Sequence, residues 1–133
     1  MAHVVFYEKP GCISNTRQKK LLRASGHDLD VRNLLTEAWT EDALRPFFAD
    51  MPVARWINAS APQVKAGRVS PESLSADEAL AAMVAEPILI RRPLMQVGDQ
   101  RKAGFDQDAV AAWIGLKTPD TRVTDTCPKE HTP

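Results

Sequence analysis

Cysteine is scarce in this chain of 133 residues: there are two, Cys12 and Cys127, near opposite ends. Disulfide-stapled scaffolds carry a far higher density, so that class is excluded. The three histidines, His3, His27 and His131, are scattered and complete no short-spaced Cys/His set. A zinc site of ordinary spacing is therefore excluded, and no metal is expected. An excess of either charge is also missing, because Lys plus Arg and Asp plus Glu both number 17. No basic balance advertises nucleic acid, and no acidic balance advertises cationic partners. No apolar run approaches the ~18 residues of a membrane span, so no membrane partner is expected. The first residues, MAHVVFYEKP, lack a basic stretch followed by a long apolar one. No signal peptide is expected, and the expected compartment is the cytoplasm. Internal repeats are absent.

What is present is an ordinary globular composition, 44% hydrophobic, at a length that suits one domain with a real core. His3-Val4-Val5-Phe6-Tyr7 has the β-branched and aromatic character of a buried strand. Pro10-Gly11 punctuates the loop from Glu8 to Ser14, and Asn15 to Ser25 reads as a helix stopped by Gly26. Leu29 and Val31 alternate with polar residues in a second strand, Asp28 to Asn33. Strand, helix and strand in so short a span form a βαβ unit with parallel strands.

The middle reads as helical. Thr40 caps a helix with Leu44, Phe47, Phe48 and Met51 at helical spacing, ended by Pro52. Val53 to Asn58 and Pro62 to Ala66 read as short turns or helices. Ser75 to Glu78 is a capping box, opening a helix that buries Leu80, Met83 and Val84 before Pro87. Pro93 to Val97, the turn Gly98-Asp99 and Gln100 to Gly104 make a hairpin. Asp106 caps a last helix with Val110, Trp113 and Ile114 on one face. Residues 117–133 hold one valine and three prolines, and read as a disordered tail behind a domain of residues 1–116. The order β-α-β, helical insert, β-β-α predicts a thioredoxin-like α/β fold: a four-stranded mixed sheet flanked by helices.

In that layout Cys12 stands between the first strand and the first helix. It could be a buried small hydrophobe, half of a disulfide, a metal ligand or a nucleophile. A helix start favours an anion and lowers a cysteine pKa from ~8.5. The amides of Ile13, Ser14, Asn15 and Thr16 are expected to point outward, with Ser14 as the N-cap and Asn15 and Thr16 orienting a bound group. The residue before a strand-opening proline is held extended, so Arg92-Pro93 is the second part of the site. In a thioredoxin-like fold this proline, usually cis, faces the active cysteine. Arg92 then stabilises a thiolate or forks onto an oxyanion or carboxylate. The alternative for Arg92 is a surface ion pair with Glu86, while Arg91 is expected to face solvent. Trp39, Trp56 and Trp113 read as packing residues. Arg17, Lys19, Lys20 and Arg23 read as a solvated helix face.

Cys12-Ile13-Ser14-Asn15 lacks a second cysteine. A monothiol needs glutathione, another protein thiol or a distant cysteine to resolve a mixed disulfide, and Cys127 is the only internal candidate.

YEKPGC, ILIRRPLM and GFD together resemble the arsenate reductase (ArsC) family, over about residues 3 to 116. The relatives of that family include glutathione-dependent thiol reductases and the Spx transcription regulators. GCISNTRQ and RRPLMQVGDQRKAGFD look most like the nitrogenase-associated proteins of nitrogen-fixing bacteria. The resemblance implies that Cys12 is the nucleophile and that Arg92 is the anion-binding arginine before a cis-proline. The family's other two arginines fall on Asn58 and Gly104, and a histidine of its cysteine loop falls on Glu8, whose carboxylate would raise the thiol pKa. Arg55, Arg68, Arg91, Arg101 and Lys102 are candidates to supply charge from new positions. Arsenate is thereby disfavoured as substrate. The expected function is a monothiol oxidoreductase with glutathione as co-substrate, or a glutaredoxin-type protein as its partner. The alternative is a non-catalytic accessory or redox-sensing protein that binds a nitrogenase-related partner.

Overall fold

Residues His3–Glu8 form strand β1, whose alternating side chains enter two different cores. In the computed structural model, residues 2–49 and 51–116 are described; the expected tail, Cys127 included, lies outside them. Strand β1 is followed by α1 (Ile13–Ala24), β2 (Asp28–Asn33), α2 (Glu41–Leu44), α3 (Pro62–Lys65) and α4 (Ala76–Ala85). A hairpin of β3 (Leu94–Val97) and β4 (Gln100–Ala103) leads into α5 (Gln107–Ile114). The sheet order is β2-β1-β3-β4. β1 pairs with β2 in parallel, and β3 runs antiparallel to both β1 and β4. This is the expected thioredoxin-like mixed sheet.

The two faces of the sheet follow the period-two pattern of its strands. Val4 and Phe6 of β1 and Met95 of β3 join Leu21, Leu22, Phe105 and Val110 under α1 and α5. Tyr7 and Leu94 instead join Leu44, Phe48, Trp56, Leu80 and Met83 of the insert. Trp39 and Trp56 pack there as expected. Trp39 lies 4.9 Å from the Tyr7 ring, and Trp56 stacks on Phe48 at 5.3 Å.

Three local expectations are corrected. Helix α1 begins at Ile13, two residues before the expected Asn15, and its N-cap is Cys12 rather than Ser14. Ser14 lies inside the first turn and is buried. The helix expected after Thr40 is a single α-turn, Glu41–Leu44, that tightens into a 3-10 turn over Arg45–Phe48. Pro46 explains this, since it has no N–H for an α-helical interior. Arg91 is half-buried rather than solvent-facing.

The capping expectations hold at Thr40, Ser75 and Asp106. Each side chain accepts from the amide three residues on, and Ser75 and Glu78 complete a reciprocal capping box.

Candidate functional site

The cysteine loop is a built turn. The Cys12 amide donates to the Lys9 carbonyl at 3.1 Å, closing the four residues Lys9-Pro10-Gly11-Cys12. Proline sits second and glycine third, and Gly11 has φ +83°, the arrangement of a type II turn. A Cβ at Gly11 would meet nothing within 4 Å, so backbone conformation rather than crowding selects glycine.

Asn15 fixes this turn from within the helix. Its Oδ1 accepts from the Lys9 amide at 3.0 Å, and its Nδ2 donates to Gln18 Oε1 at 2.9 Å. Both side chains are fully buried. The Thr16 amide and hydroxyl each donate to the Cys12 carbonyl at 3.1 Å. The Thr16 amide therefore serves the helix ladder rather than pointing outward. The amides of Ile13, Ser14 and Asn15 lie ahead of that ladder, at the positive end of the helix.

Cys12 is 3% exposed and carries a thiol rather than a disulfide. It lies on a cavity of about 270 Å³ lined also by Lys9, Gly11, Ile13, Asn58 and Arg92, with Ser60 and Lys65 from the insert. Fold topology thus brings Arg92 to Cys12 across 80 residues of sequence. The Arg92-Pro93 peptide bond is cis. Arg92 is 7% exposed, and its Nε has no hydrogen-bond partner among the described residues. A buried donor without a partner is costly, so this Nε is a polar group the fold itself leaves unsatisfied. Glu86, its candidate ion-pair partner, instead accepts from Gln63 Nε2.

Of the residues assigned to the site from sequence, Cys12, Ile13 and Arg92 line the cavity. Ser14, Asn15, Thr16 and Pro93 are not among the lining residues; the Pro93 carbonyl accepts from the Gly104 amide at 2.9 Å. Asn58 lines the cavity, with its amide group engaged locally. Its Nδ2 donates to the Ile88 carbonyl at 3.1 Å, and its Oδ1 accepts from the Ser60 amide at 3.0 Å. Gly104 has φ +77° and is not among the residues lining the cavity.

The carboxylate of Glu8 pairs with Lys19 at 2.6 Å, and Glu8 is not among the residues lining the cavity. Arg55, Arg68, Arg91, Arg101 and Lys102 do not line the cavity either. Lys9 and Lys65 do, and sequence reasoning missed both as site residues. Lys9 was legible as part of the Cys12 turn, whereas the approach of Lys65 depends on the path of the insert. The lining thus holds Lys9, Lys65 and Arg92 and no carboxylate. Among the described residues, no cluster of metal-ligating side chains occurs.

A βαβ unit, a helical insert and a ββα unit, with a helix-capping cysteine set against a cis-proline loop, define a protein of the thioredoxin-like class. Residues 7–113 match the ArsC family model, and the chain belongs to the ArsC family. It is 55% identical over 132 residues to a Rhodospirillum rubrum protein described as an uncharacterized 15.7 kDa protein in the draG 3' region. That match covers 99% of this chain and 92% of the relative. Among solved structures, it is similar to an arsenate reductase from Vibrio cholerae, with a TM-score of 0.66 and 24% identity, covering 77% of this chain and 89% of that one. An ArsC-family-related protein from Bacteroides fragilis has a TM-score of 0.73 and 20% identity, covering 82% and 95% respectively. These structural likenesses speak for the shared fold.

Proposed function

We infer that this ArsC-family chain is a monothiol oxidoreductase acting on glutathione mixed disulfides through Cys12. The observation that carries this reading is the shared cavity of Cys12 and the buried Arg92, whose Nε lacks a partner among the described residues. The Cys12 thiolate attacks the glutathionyl sulfur of a mixed disulfide. A Cys12–sulfur bond forms, the substrate S–S bond breaks, and the substrate leaves as a thiolate that takes a proton from water. A glutathione thiolate then attacks the Cys12-bound sulfur, regenerating Cys12 and releasing glutathione disulfide. Net, one mixed disulfide and one glutathione thiol become one substrate thiol and one glutathione disulfide, so the number of disulfide bonds is unchanged. A glutaredoxin-type protein thiol can replace glutathione in the second step.

Arg92 and the α1 amides stabilise the attacking and leaving sulfur anions. Arsenate suits the cavity less well, because the family's two other arginine positions are Asn58 and Gly104. Turnover of a glutathione mixed disulfide tests the reading. Activity in the wild type that is lost in Cys12→Ser supports it; no activity above the uncatalysed exchange rate overturns it.

A second reading is favoured by Ile13, a large hydrophobic residue that lines this cavity and is 48% exposed. An apolar side chain beside a thiol suits a protein partner. In that reading the chain is a non-catalytic accessory or redox-sensing protein, and its proposed partner is nitrogenase-related. Loss of growth on dinitrogen in a Cys12→Ser strain, with no mixed-disulfide turnover by the wild-type protein in vitro, would favour it.

A further inference from the structure

We propose that Lys65, together with Lys9, is a specificity-determining residue that holds the carboxylates of a small acidic thiol at Cys12. The proposal rests on the monothiol reading and adds the part of the substrate that the insert recognises. Four observations carry it.

First, the cavity is lined by three cationic residues and by no acidic one. Anionic ligands are attracted there, and cationic ones are repelled. Second, Arg92 is buried with its Nε lacking a partner among the described residues, so the cavity contains a group that calls for an anion beside the thiol. Third, Asn58 is occupied by the Ile88 carbonyl and the Ser60 amide. The insert therefore presents its charge from α3 instead, at Lys65. Fourth, two of the three cations are lysines. A planar guanidinium grips one compact oxyanion through paired donors, whereas an ammonium on a flexible stem acts as a movable point charge. One arginine with two lysines, drawn from the cysteine turn and the insert, fits a flexible ligand with separated carboxylates better than an inorganic oxyanion.

The cavity volume of about 270 Å³ lies near the lower end of small-molecule sites, which fits a short peptide-like thiol. Lys65 is exposed and sits at the end of a four-residue helix, so its substitution leaves the core intact.

The test measures the rate of mixed-disulfide formation at Cys12 in the full chain, located by peptide mass. In each case the Cys12 thiolate forms one bond to the reagent sulfur and the reagent releases one thiolate. Three reagents are compared: glutathione disulfide, its carboxylate methyl ester, and cystamine, which is cationic. Rates are normalised to those of a free model thiol. The wild type is expected to favour glutathione disulfide over the ester by about tenfold, the scale of one hydrogen-bonded charge. Lys65→Gln is expected to lose most of that preference, Lys65→Arg to keep it, and Lys65→Glu to turn it toward cystamine. Alkylation by neutral iodoacetamide, followed against pH, measures the thiol of each variant on its own. Each disulfide rate is divided by that variant's alkylation rate, so the preference between glutathione disulfide and its ester reads ligand recognition rather than a change in the thiol.

An unchanged carboxylate preference in Lys65→Gln overturns the proposal, as does a wild type without preference. If Cys12 reacts with all three disulfides at enhanced but equal rates, the Lys65 assignment fails and the monothiol reading stands. If Cys12 reacts with none of them faster than a model thiol, both fail.

Discussion

Asn15→Ala is expected to destabilise the protein and loosen the cysteine turn together. Asn15 is fully buried and joins the Lys9 amide, at 3.0 Å, to Gln18 Oε1, at 2.9 Å. Alanine removes an acceptor from a half-buried backbone donor and a donor from a fully buried amide oxygen. Losing a buried partner costs about 1–3 kcal/mol, and the half-buried Lys9 amide falls at the low end because water can reach it. The expected loss is about 2–4 kcal/mol, or a fall in Tm of roughly 8–16 °C for a domain of this size. Urea unfolding followed by tryptophan fluorescence measures the stability. Iodoacetamide alkylation of Cys12 under native conditions measures the turn. Adding Gln18→Ala in a double-mutant cycle isolates the pair, and a coupling of about 1 kcal/mol is expected. The reasoning is refuted if Asn15→Ala stays within about 0.5 kcal/mol of wild type, the range of a neutral surface change.

Two further perturbations test the frame around the site. His27 is buried; its Nδ1 accepts from the Ala2 amide at 2.9 Å, and its Nε2 lies 2.7 Å from the Gly115 carbonyl. Because a carbonyl only accepts, Nε2 carries the proton and His27 ties the start of β1 to the end of α5. His27→Ala is expected to cost about 1–3 kcal/mol in urea unfolding and to speed amide exchange at both tied ends; unchanged exchange there refutes the tie. On β2, the Arg32 hydrogen bond at 2.8 Å holds the Asp30 carboxyl below its ordinary value. A lowered folded value gives a contribution that is complete above the ordinary carboxylate value and lost as pH falls through the folded one. Both side chains reach solvent, so salt screens the effect. Arg32→Ala should raise the Asp30 midpoint in an NMR titration, and an unmoved midpoint contradicts the assigned cause.

Much of the fold is carried by local chemistry. The alternation of Val4, Phe6 and Tyr7, the capping box at Ser75 and the Gly98-Asp99 turn each act over a few residues, and each appears where expected. The start of α1 was harder to place. Ser14 has the chemistry of an N-cap, but the turn closed by Cys12 and Lys9 sets the boundary earlier, and Ser14 is drawn into the first turn. The proline at position 46 was a readable signal that the apolar spacing of Leu44, Phe47 and Phe48 obscured.

The site was legible where it depends on the fold's own crossing point, at Cys12 and Arg92. It was illegible where it depends on the route of the insert. Nothing in the pattern PQVK distinguishes Lys65 from a solvated lysine until Asn58 and Ile88 set the path beside the cavity. The same holds for Asn15. A polar residue in a first turn invites a ligand role, and only the positions of the Lys9 amide and Gln18 reveal a strut.

The central claim is that Cys12 is a nucleophile stabilised by Arg92. Its most direct test is the pH dependence of Cys12 alkylation in wild type, Arg92→Ala and Arg92→Lys, with folding of each checked by fluorescence. The account predicts a wild-type thiol midpoint below the ordinary ~8.5, a rise in Arg92→Ala and partial return in Arg92→Lys. A wild-type midpoint at ~8.5 that Arg92→Ala leaves in place would contradict it.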